Sequence, residues 1–109
     1  LPPDTAMIRT ALTHPAGPWK LSVPLIGAPM AGVSGGALAA AASNAGALGF
    51  VAVGHGADLA ALDKEVAVFR AAAPERPLAL GFISFSAVDH YKVLREVLAR
   101  HRPGVVQFF

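Results

Sequence analysis

The stretch PLIGAPMAGVSGGALAAAASNAGALGFVAVGHG, residues 24–56, decides the fold of this chain. Its first residues, Pro24–Ala28, form a short apolar run that is typical of a parallel strand buried on both faces. Pro29 ends this strand, because proline has no N–H to donate to a neighbouring strand. The glycine-rich segment Ala31–Gly36 predicts a turn, and Ser34 is expected to cap the helix that follows.

The second half of the same stretch predicts a helix and another strand. Residues Ala37–Ala45 consist mostly of alanine, the strongest helix former. Asn44 and Gly46 predict that the helix ends there with a residue in the left-handed conformation. Leu48–Val53 then has the apolar composition of a second buried strand. Because one helical crossover joins the two strands, we expect them to be parallel.

The rest of the chain repeats this pattern. Asp58 is a predicted N-cap, and the helix after it has an apolar stripe and a solvated face: Leu59, Leu62, Val66 and Phe69, then Asp63, Lys64 and Arg70. A further helix is predicted to start at residues 86–89 and to pack through Tyr91, Leu94 and Leu98, with Val93 and Val97 beside them. Strands are expected at Leu78–Phe85 and Val105–Phe109.

Strands near residues 24–29, 48–53, 78–85 and 105–109 thus alternate with helices, after a lead-in segment at residues 1–20. Open doubly wound sheets and TIM barrels both have this alternation of strands and helices, but a barrel needs eight strands. We therefore predict an α/β domain over residues 21–109 that corresponds to the N-terminal half, about four βα units, of a TIM (β/α)8 barrel. Its unpaired strand edges favour self-association.

Composition excludes several functional classes. The 109 residues are 54% hydrophobic and 15% charged, with a formal net charge of +2 and scattered basic residues, so binding to nucleic acid is not expected. The chain has no cysteine, which excludes thiolate chemistry and fits the cytoplasm or another reducing compartment. Its four histidines have no metal-site spacing, and no metal is expected.

A membrane span is also not expected, although residues 21–57 contain no Asp, Glu, Lys or Arg. Pro24, Pro29 and repeated glycines break this apolar region into pieces that are too short to span a bilayer.

Four motifs together carry a resemblance to a known family. MIRTALT (7–13), PLIGAPMAGVSGGALAAAASNAGALGF (24–50), LALGFISFS (78–86) and RPGVVQFF (102–109) resemble the N-terminal part of nitronate monooxygenases, formerly called 2-nitropropane dioxygenases. The resemblance implies an FMN-dependent TIM barrel that oxidises alkyl nitronates with O2 to carbonyl compounds and nitrite. It covers nearly the whole chain from Met7 onward, but only the front portion of the family's domain.

The resemblance also implies the site residues. Ala28, Pro29 and Met30, at the end of the first strand, would lie against the flavin ring. Many members have an asparagine in the third strand where this chain has Gly-Phe-Ile, and Ser84 is expected to supply a polar cofactor contact instead. The family's phosphate-binding glycines and its proposed catalytic histidine lie beyond the matched region. No catalytic residue is therefore assigned, and the chain on its own is expected to be inactive.

Other interpretations remain open at this point. Related enoyl reductases or dehydrogenases on flavin barrels have similar first units, and a non-catalytic half-barrel remnant is a further alternative. A serine hydrolase is a weaker alternative, since residues 32–36 match G-x-S-x-G with Ser34 as nucleophile. His55 is expected to be a turn residue rather than a proton carrier, and Gln107 a buried, hydrogen-bonded residue rather than a substrate contact.

Overall fold

The computed structural model describes residues 12–14, 17, 19–54, 58–84 and 91–109, and within them the chain is an α/β protein with a parallel sheet. The elements are α1 (Gly36–Asn44), β1 (Phe50–Val53), α2 (Leu59–Ala72), β2 (Ala79–Phe82), α3 (Tyr91–His101) and β3 (Val105–Phe108). Most of the opening motif at residues 7–13, His55, and the predicted helix start at residues 86–89 lie outside the described residues.

The sheet has the order β1-β2-β3, and both pairings are parallel, as predicted. Phe50, Ala79 and Val105 lie side by side in one row, and Ala52, Gly81 and Gln107 lie side by side two residues further along. Because side chains alternate along a strand, these two rows share one face of the sheet. The arrangement is compatible with part of a β/α barrel, as predicted.

The predicted first strand is only partly formed. Residues around Ile26 make one parallel bridge to Leu48, with Gly27 N donating to Leu48 O at 2.8 Å and Leu48 N donating to Leu25 O at 3.0 Å. The prediction that this strand is buried on both faces is wrong, since Leu25, Ile26 and Ala28 are exposed. The physical reason is that no described strand pairs with its outer side.

Apolar side chains fill both faces of the sheet. On one face, Val51 and Leu80 pack against Phe69 of α2 and Val97 of α3, in the larger core cluster. On the opposite face, Leu21, Leu48, Phe50 and Ala79 form a smaller cluster, against which Leu12 and Trp19 pack from the segment before the first strand and Val105 packs from β3. The segment before the first strand therefore packs against the inner face of the sheet.

Helix α1 packs unusually closely against its neighbours, and glycines make this possible. A Cβ on Gly36 would clash with the backbone carbonyl oxygen of Glu65 in α2, and a Cβ on Gly49 would clash with that of Ala39. The C-terminal stop predicted for α1 is confirmed at Gly46, which has φ +100°, whereas Asn44 remains helical. The Asn44 side chain instead donates a hydrogen bond to the carbonyl of Ala72 at 2.9 Å.

Helix α2 begins as predicted. The Asp58 carboxylate accepts hydrogen bonds from the backbone N–H groups of Ala60 at 3.0 Å and Ala61 at 3.2 Å. Its stripe is confirmed, with Leu62, Val66 and Phe69 buried and Leu59 partly buried. Asp63 was expected on the solvated face but is only partly exposed, because it pairs with residues of α3.

Two other predictions need correction. Tyr91 was expected in the apolar stripe of α3, but it is exposed, and Val97 and His101 are the buried residues of this helix. Strand β2 ends at Phe82 rather than at Phe85, so Ser84 lies beyond the strand. None of the helices in the described part of the chain is long and apolar enough to span a bilayer.

Candidate functional site

The residues that follow the described strands form one surface at the carboxyl end of the sheet. Pro29 is buried here against β2, where a Cβ on Gly81 would overlap the proline ring. Ala28 and Met30, on either side of Pro29, are exposed. A glycine at position 81 is thus required so that the turn after the first strand can lie directly on the sheet.

Ser34 holds this turn together. Its hydroxyl donates to the carbonyl of Ala28 at 2.7 Å and accepts from the N–H of Met30 at 3.0 Å. The N–H of Ser34 donates back to the carbonyl of Met30 at 2.8 Å. The three predicted site residues Ala28, Pro29 and Met30 are therefore held in one fixed conformation by a buried side chain.

The predicted capping role of Ser34 is wrong. The N-cap of α1 is Gly35, which supplies no side-chain cap, and the N–H of Gly36 donates instead to the Glu65 carboxylate of α2. A carboxylate at a helix N-terminus accepts from free N–H groups and interacts favourably with the helix dipole. Sequence reasoning missed Glu65, because 29 residues separate it from its partner and only the packing of α2 against α1 brings them together.

The geometry of Ser34 also disfavours the hydrolase alternative. A serine nucleophile must present its oxygen to substrate and lie within hydrogen-bond reach of a histidine base. Ser34 is buried, and its hydroxyl already donates to a backbone carbonyl and accepts from a backbone N–H. His101, the buried histidine of α3, contacts Asp63 of α2 instead.

Ser84, the fourth predicted site residue, is exposed and links the ends of two strands. Its hydroxyl and its N–H both donate to the carbonyl of Phe109, at 2.9 and 2.8 Å. The hydroxyl oxygen retains acceptor capacity, but its proton is engaged. Gln107 is only partly buried, and it pairs with Gly81 near the carboxyl end of the sheet.

Two cavities lie beside this surface. One, of about 250 Å³, lies at the end of β1 and is lined by Ala52, Val53, Gly54, Asp58, Ala61, Leu62 and Glu65. The other, of about 200 Å³, lies between the first strand and α1, where Gly27, Met30, Leu38 and Phe50 are among the residues lining it. The second is almost wholly apolar, because Ser34 is the single polar side chain among the described residues that line it.

The described residues fit the ring of a flavin better than its phosphate. The small side chains of Ala28 and Ala52 leave room at the carboxyl ends of the strands for a planar ring to approach the backbone, whereas Pro29 already fills the space over Gly81. A phosphate is commonly bound at a helix N-terminus, but that of α1 already binds the Glu65 carboxylate. Among the described residues, no group of histidine and acidic side chains could hold a metal ion.

An ion-pair cluster joins α2 to α3 on the other side of the helices. Arg100 donates to Asp63 Oδ2 at 2.7 Å and to Glu96 Oε1 at 2.6 Å, and the buried His101 places Nε2 2.8 Å from Asp63 Oδ1. The hydrogen bond from Arg100 holds the pKa of the Asp63 carboxyl below its ordinary value of 3.8, although partial burial opposes this.

Replacing Asp63 with asparagine is therefore expected to weaken the dependence of stability on acid pH. Because the pKa of Asp63 is lower in the folded chain, its contribution is fully present above about pH 5 and is lost progressively as pH falls through the ordinary value of 3.8 towards the folded-state value. The difference in urea midpoint between wild type and Asp63→Asn should thus be smaller at pH 2.5 than at pH 6. Lys64→Gln, at the exposed neighbouring position, should retain the acid dependence of wild type; a constant difference for Asp63→Asn would contradict the assignment.

Comparison with known proteins agrees with the resemblance seen in the motifs. A family model described as nitronate monooxygenase matches residues 17–100 of the chain. The matched region runs from before the first strand to α3 and includes Ala28, Pro29, Met30 and Ser84. No curated protein matches the chain.

Proposed function

The chain belongs to the nitronate monooxygenase family, whose members are flavin-dependent TIM barrels, and on this premise we propose that it supplies the first wall of an FMN site. The whole enzyme would oxidise alkyl nitronates with O2 to carbonyl compounds and nitrite. Within it, Ala28, Pro29 and Met30 would lie against the flavin ring, with Ser84 at the edge of the same surface.

The observation that carries this proposal is the rigid turn after the first strand. Pro29 is seated on Gly81, and the Ser34 hydroxyl fixes the carbonyl of Ala28 and the N–H of Met30. A turn that is fixed before the cofactor arrives needs no ordering when the ring binds, which lowers the cost of binding. The carboxyl ends of the strands are also where TIM-barrel active sites are found.

The turn would bind the ring mainly through apolar contact and shape. Two polar backbone groups of the turn, the carbonyl of Ala28 and the N–H of Met30, are already hydrogen-bonded to the Ser34 hydroxyl and are therefore not free to bond to the ring. When bound, FMN supplies the redox chemistry, whereas the protein positions the ring and substrate and excludes water. Ala28 and Met30, both exposed, are the side chains of the turn available to cover a ring face.

Riboflavin and FMN are expected to bind the 109-residue chain with equal affinity, within a factor of about 2, since the described residues contact the ring and offer no phosphate anchor. Met30→Glu should weaken both by roughly tenfold or more, because the new carboxylate must be desolvated beneath the ring. Val68→Glu is the matched control: Val68 is exposed on α2, away from the turn, and its replacement should leave both affinities unchanged. Quenching of flavin fluorescence during titration measures the affinities.

Two results would count against the proposal. Equal flavin affinities in wild type and Met30→Glu would remove the turn from the site, and FMN binding tenfold tighter than riboflavin would place a phosphate anchor within this chain.

Enzymatic activity is measured in a separate experiment. We expect no nitrite release from an alkyl nitronate by the chain with added FMN, because the family's proposed base lies beyond the matched region. Nitrite release above the no-protein rate would refute that expectation.

A further inference from the structure

Gln107 is a polar residue on an otherwise apolar face of the sheet. Strand β3 places it beside Gly81 of β2. Because paired residues project to the same side of a sheet, Gln107 lies on the face where Pro29 covers Gly81. Among the residues that β1, β2 and β3 place on this face, Gln107 alone has a polar side chain; the others are Phe50, Ala52, Ala79, Gly81 and Val105.

The neighbours of Gln107 on this face offer its amide no hydrogen-bond partner. Gly81 has no side chain, and the Pro29 ring above it has no N–H to donate. The Phe109 ring, 3.7 Å from the position that a Cβ on Gly81 would take, is also apolar. Within the part of the chain that the structure describes, the partly buried Gln107 side chain makes no hydrogen bond. Polar groups on apolar surfaces are normally hydrogen-bonded, so the amide is well placed to bind a ligand.

Gln107 also lies beside the turn that follows the first strand. It is one strand spacing, about 4.8 Å, from Gly81, on which Pro29 is seated. The residues on either side of Pro29 are held in place by the Ser34 hydroxyl, which bonds to the carbonyl of Ala28 and the N–H of Met30. A planar group that covers this turn therefore has the Gln107 amide within reach of its edge.

The chemistry of an amide decides which group fits it. The Gln107 side chain has an NH2 donor and a carbonyl acceptor in one plane. The pyrimidine edge of a flavin has the complementary pattern, because its N3–H donor lies between two carbonyl acceptors. An alkyl nitronate is an anion whose oxygens only accept hydrogen bonds, so the carbonyl oxygen of the amide would repel it. The amide thus matches the edge of the cofactor better than it matches the substrate.

We infer that Gln107 binds the pyrimidine edge of the flavin, accepting a hydrogen bond from N3–H and donating one to a ring carbonyl. The inference rests on the proposed function, since it takes a flavin as the ligand. Apolar contact with the turn at residues 28–30 is non-directional, and it fixes the plane of the ring but not its rotation within that plane. Two directional hydrogen bonds from one amide fix this rotation. Gln107 therefore sets which part of the ring faces the substrate.

Nuclear magnetic resonance provides a direct test. The chain has a single glutamine and a single asparagine, so ¹⁵N spectra contain only two side-chain amides. Saturating riboflavin should shift the NH2 signals of Gln107. The signals of Asn44 are the internal control and should not move, because this side chain donates to the carbonyl of Ala72 between α1 and α2, away from the turn.

Flavin fluorescence in the same samples separates two kinds of failure. Saturable quenching with unmoved Gln107 signals would overturn this inference and leave the proposed function intact. Absence of quenching by the wild-type chain would overturn the proposed function, and this inference would fall with it. Movement of the Asn44 signals equal to that of Gln107 would also overturn the inference, since the response would then not be local to the site.

A flavin without the N3 proton provides the second test. We expect wild type to bind riboflavin roughly tenfold more tightly than 3-methylriboflavin, because methylation removes the donor that Gln107 accepts from. Gln107→Leu, which removes the amide, should bind the two flavins with equal affinity, within a factor of about 2. Asn44→Leu, which removes the other side-chain amide of the chain, should retain the wild-type preference.

Two results of the affinity measurements would overturn the inference. One is equal affinity of wild type for the two flavins, and the other is an unchanged tenfold preference in Gln107→Leu. The wild-type comparison needs no substitution, so it decides the matter even if Gln107→Leu failed to fold. Circular dichroism of Gln107→Leu and Asn44→Leu checks that both variants retain the fold.

Discussion

Replacing Gly36 with alanine is expected to destabilise the chain by about 3 kcal/mol. Two effects oppose each other at this position. Alanine is a better helix former than glycine by roughly 0.5–1 kcal/mol, which by itself would stabilise α1. However, the added Cβ would clash with the backbone carbonyl of Glu65 and would lie 2.9 Å from the backbone nitrogen of Phe69. A backbone clash between two packed helices cannot be relieved by a rotamer change, so the steric term should dominate.

Urea denaturation followed by circular dichroism measures this effect, with Gly54→Ala as the matched control. Among the residues that the structure describes, a Cβ at Gly54 meets only the Ala31 side chain, at an ordinary contact distance of 3.8 Å. This variant should therefore lie within about 0.5 kcal/mol of wild type or be slightly more stable. If Gly36→Ala were as stable as Gly54→Ala, α1 and α2 could not be as close as the structure places them.

Truncating Phe69 to alanine is expected to lower the free energy of unfolding by about 3–5 kcal/mol. Phe69 is 0% exposed and belongs to the core cluster that α2 and α3 form with the sheet. Its removal loses apolar burial and leaves a cavity that rigid neighbours such as Leu80 cannot fill. Small domains have a total stability of about 5–15 kcal/mol, so this variant would have a measurable unfolded fraction under mild denaturant.

The adjacent residue provides the control for Phe69. Val68 lies one position earlier on the same helix and is 45% exposed, so Val68→Ala should change stability by less than about 0.5 kcal/mol. Phe69→Leu, which retains most of the apolar volume, should cost less than half as much as Phe69→Ala. A Phe69→Ala variant that unfolded at the same denaturant concentration as Val68→Ala would show that Phe69 is not in the core.

The described helices and strands were largely predictable, because their signals are local. Asp58 caps α2 as expected from its type and position, and the spacing of Leu62, Val66 and Phe69 identifies the buried face of that helix. Tyr91 was misassigned because helical spacing defines a stripe but not its centre. In α3 the buried face centres on Val97 and His101, of which Val97 packs in the larger core cluster and His101 contacts Asp63 of α2.

The candidate site was predictable only in part, and most of its predicted residues were named from the family resemblance. Ala28, Pro29 and Met30 were named from the motif, but composition and periodicity could not reveal that Pro29 rests on Gly81. Ser34 illustrates the same limit. A serine before a helix usually caps it, yet here the hydroxyl turns back to Ala28 and Met30, because Glu65 already accepts from the helix N-terminus.

The sequence by itself determined the α/β class, the parallel order of the strands, the cap at Asp58 and the family. Each of these follows from short-range chemistry or from contiguous motifs that are present before the chain folds. The tertiary structure alone decided that Glu65 caps α1, that Asp63 pairs with α3 and that the first strand is an exposed edge. These features depend on residues about 20 to 40 positions apart, and their partners are chosen by which surfaces become close when the layers pack.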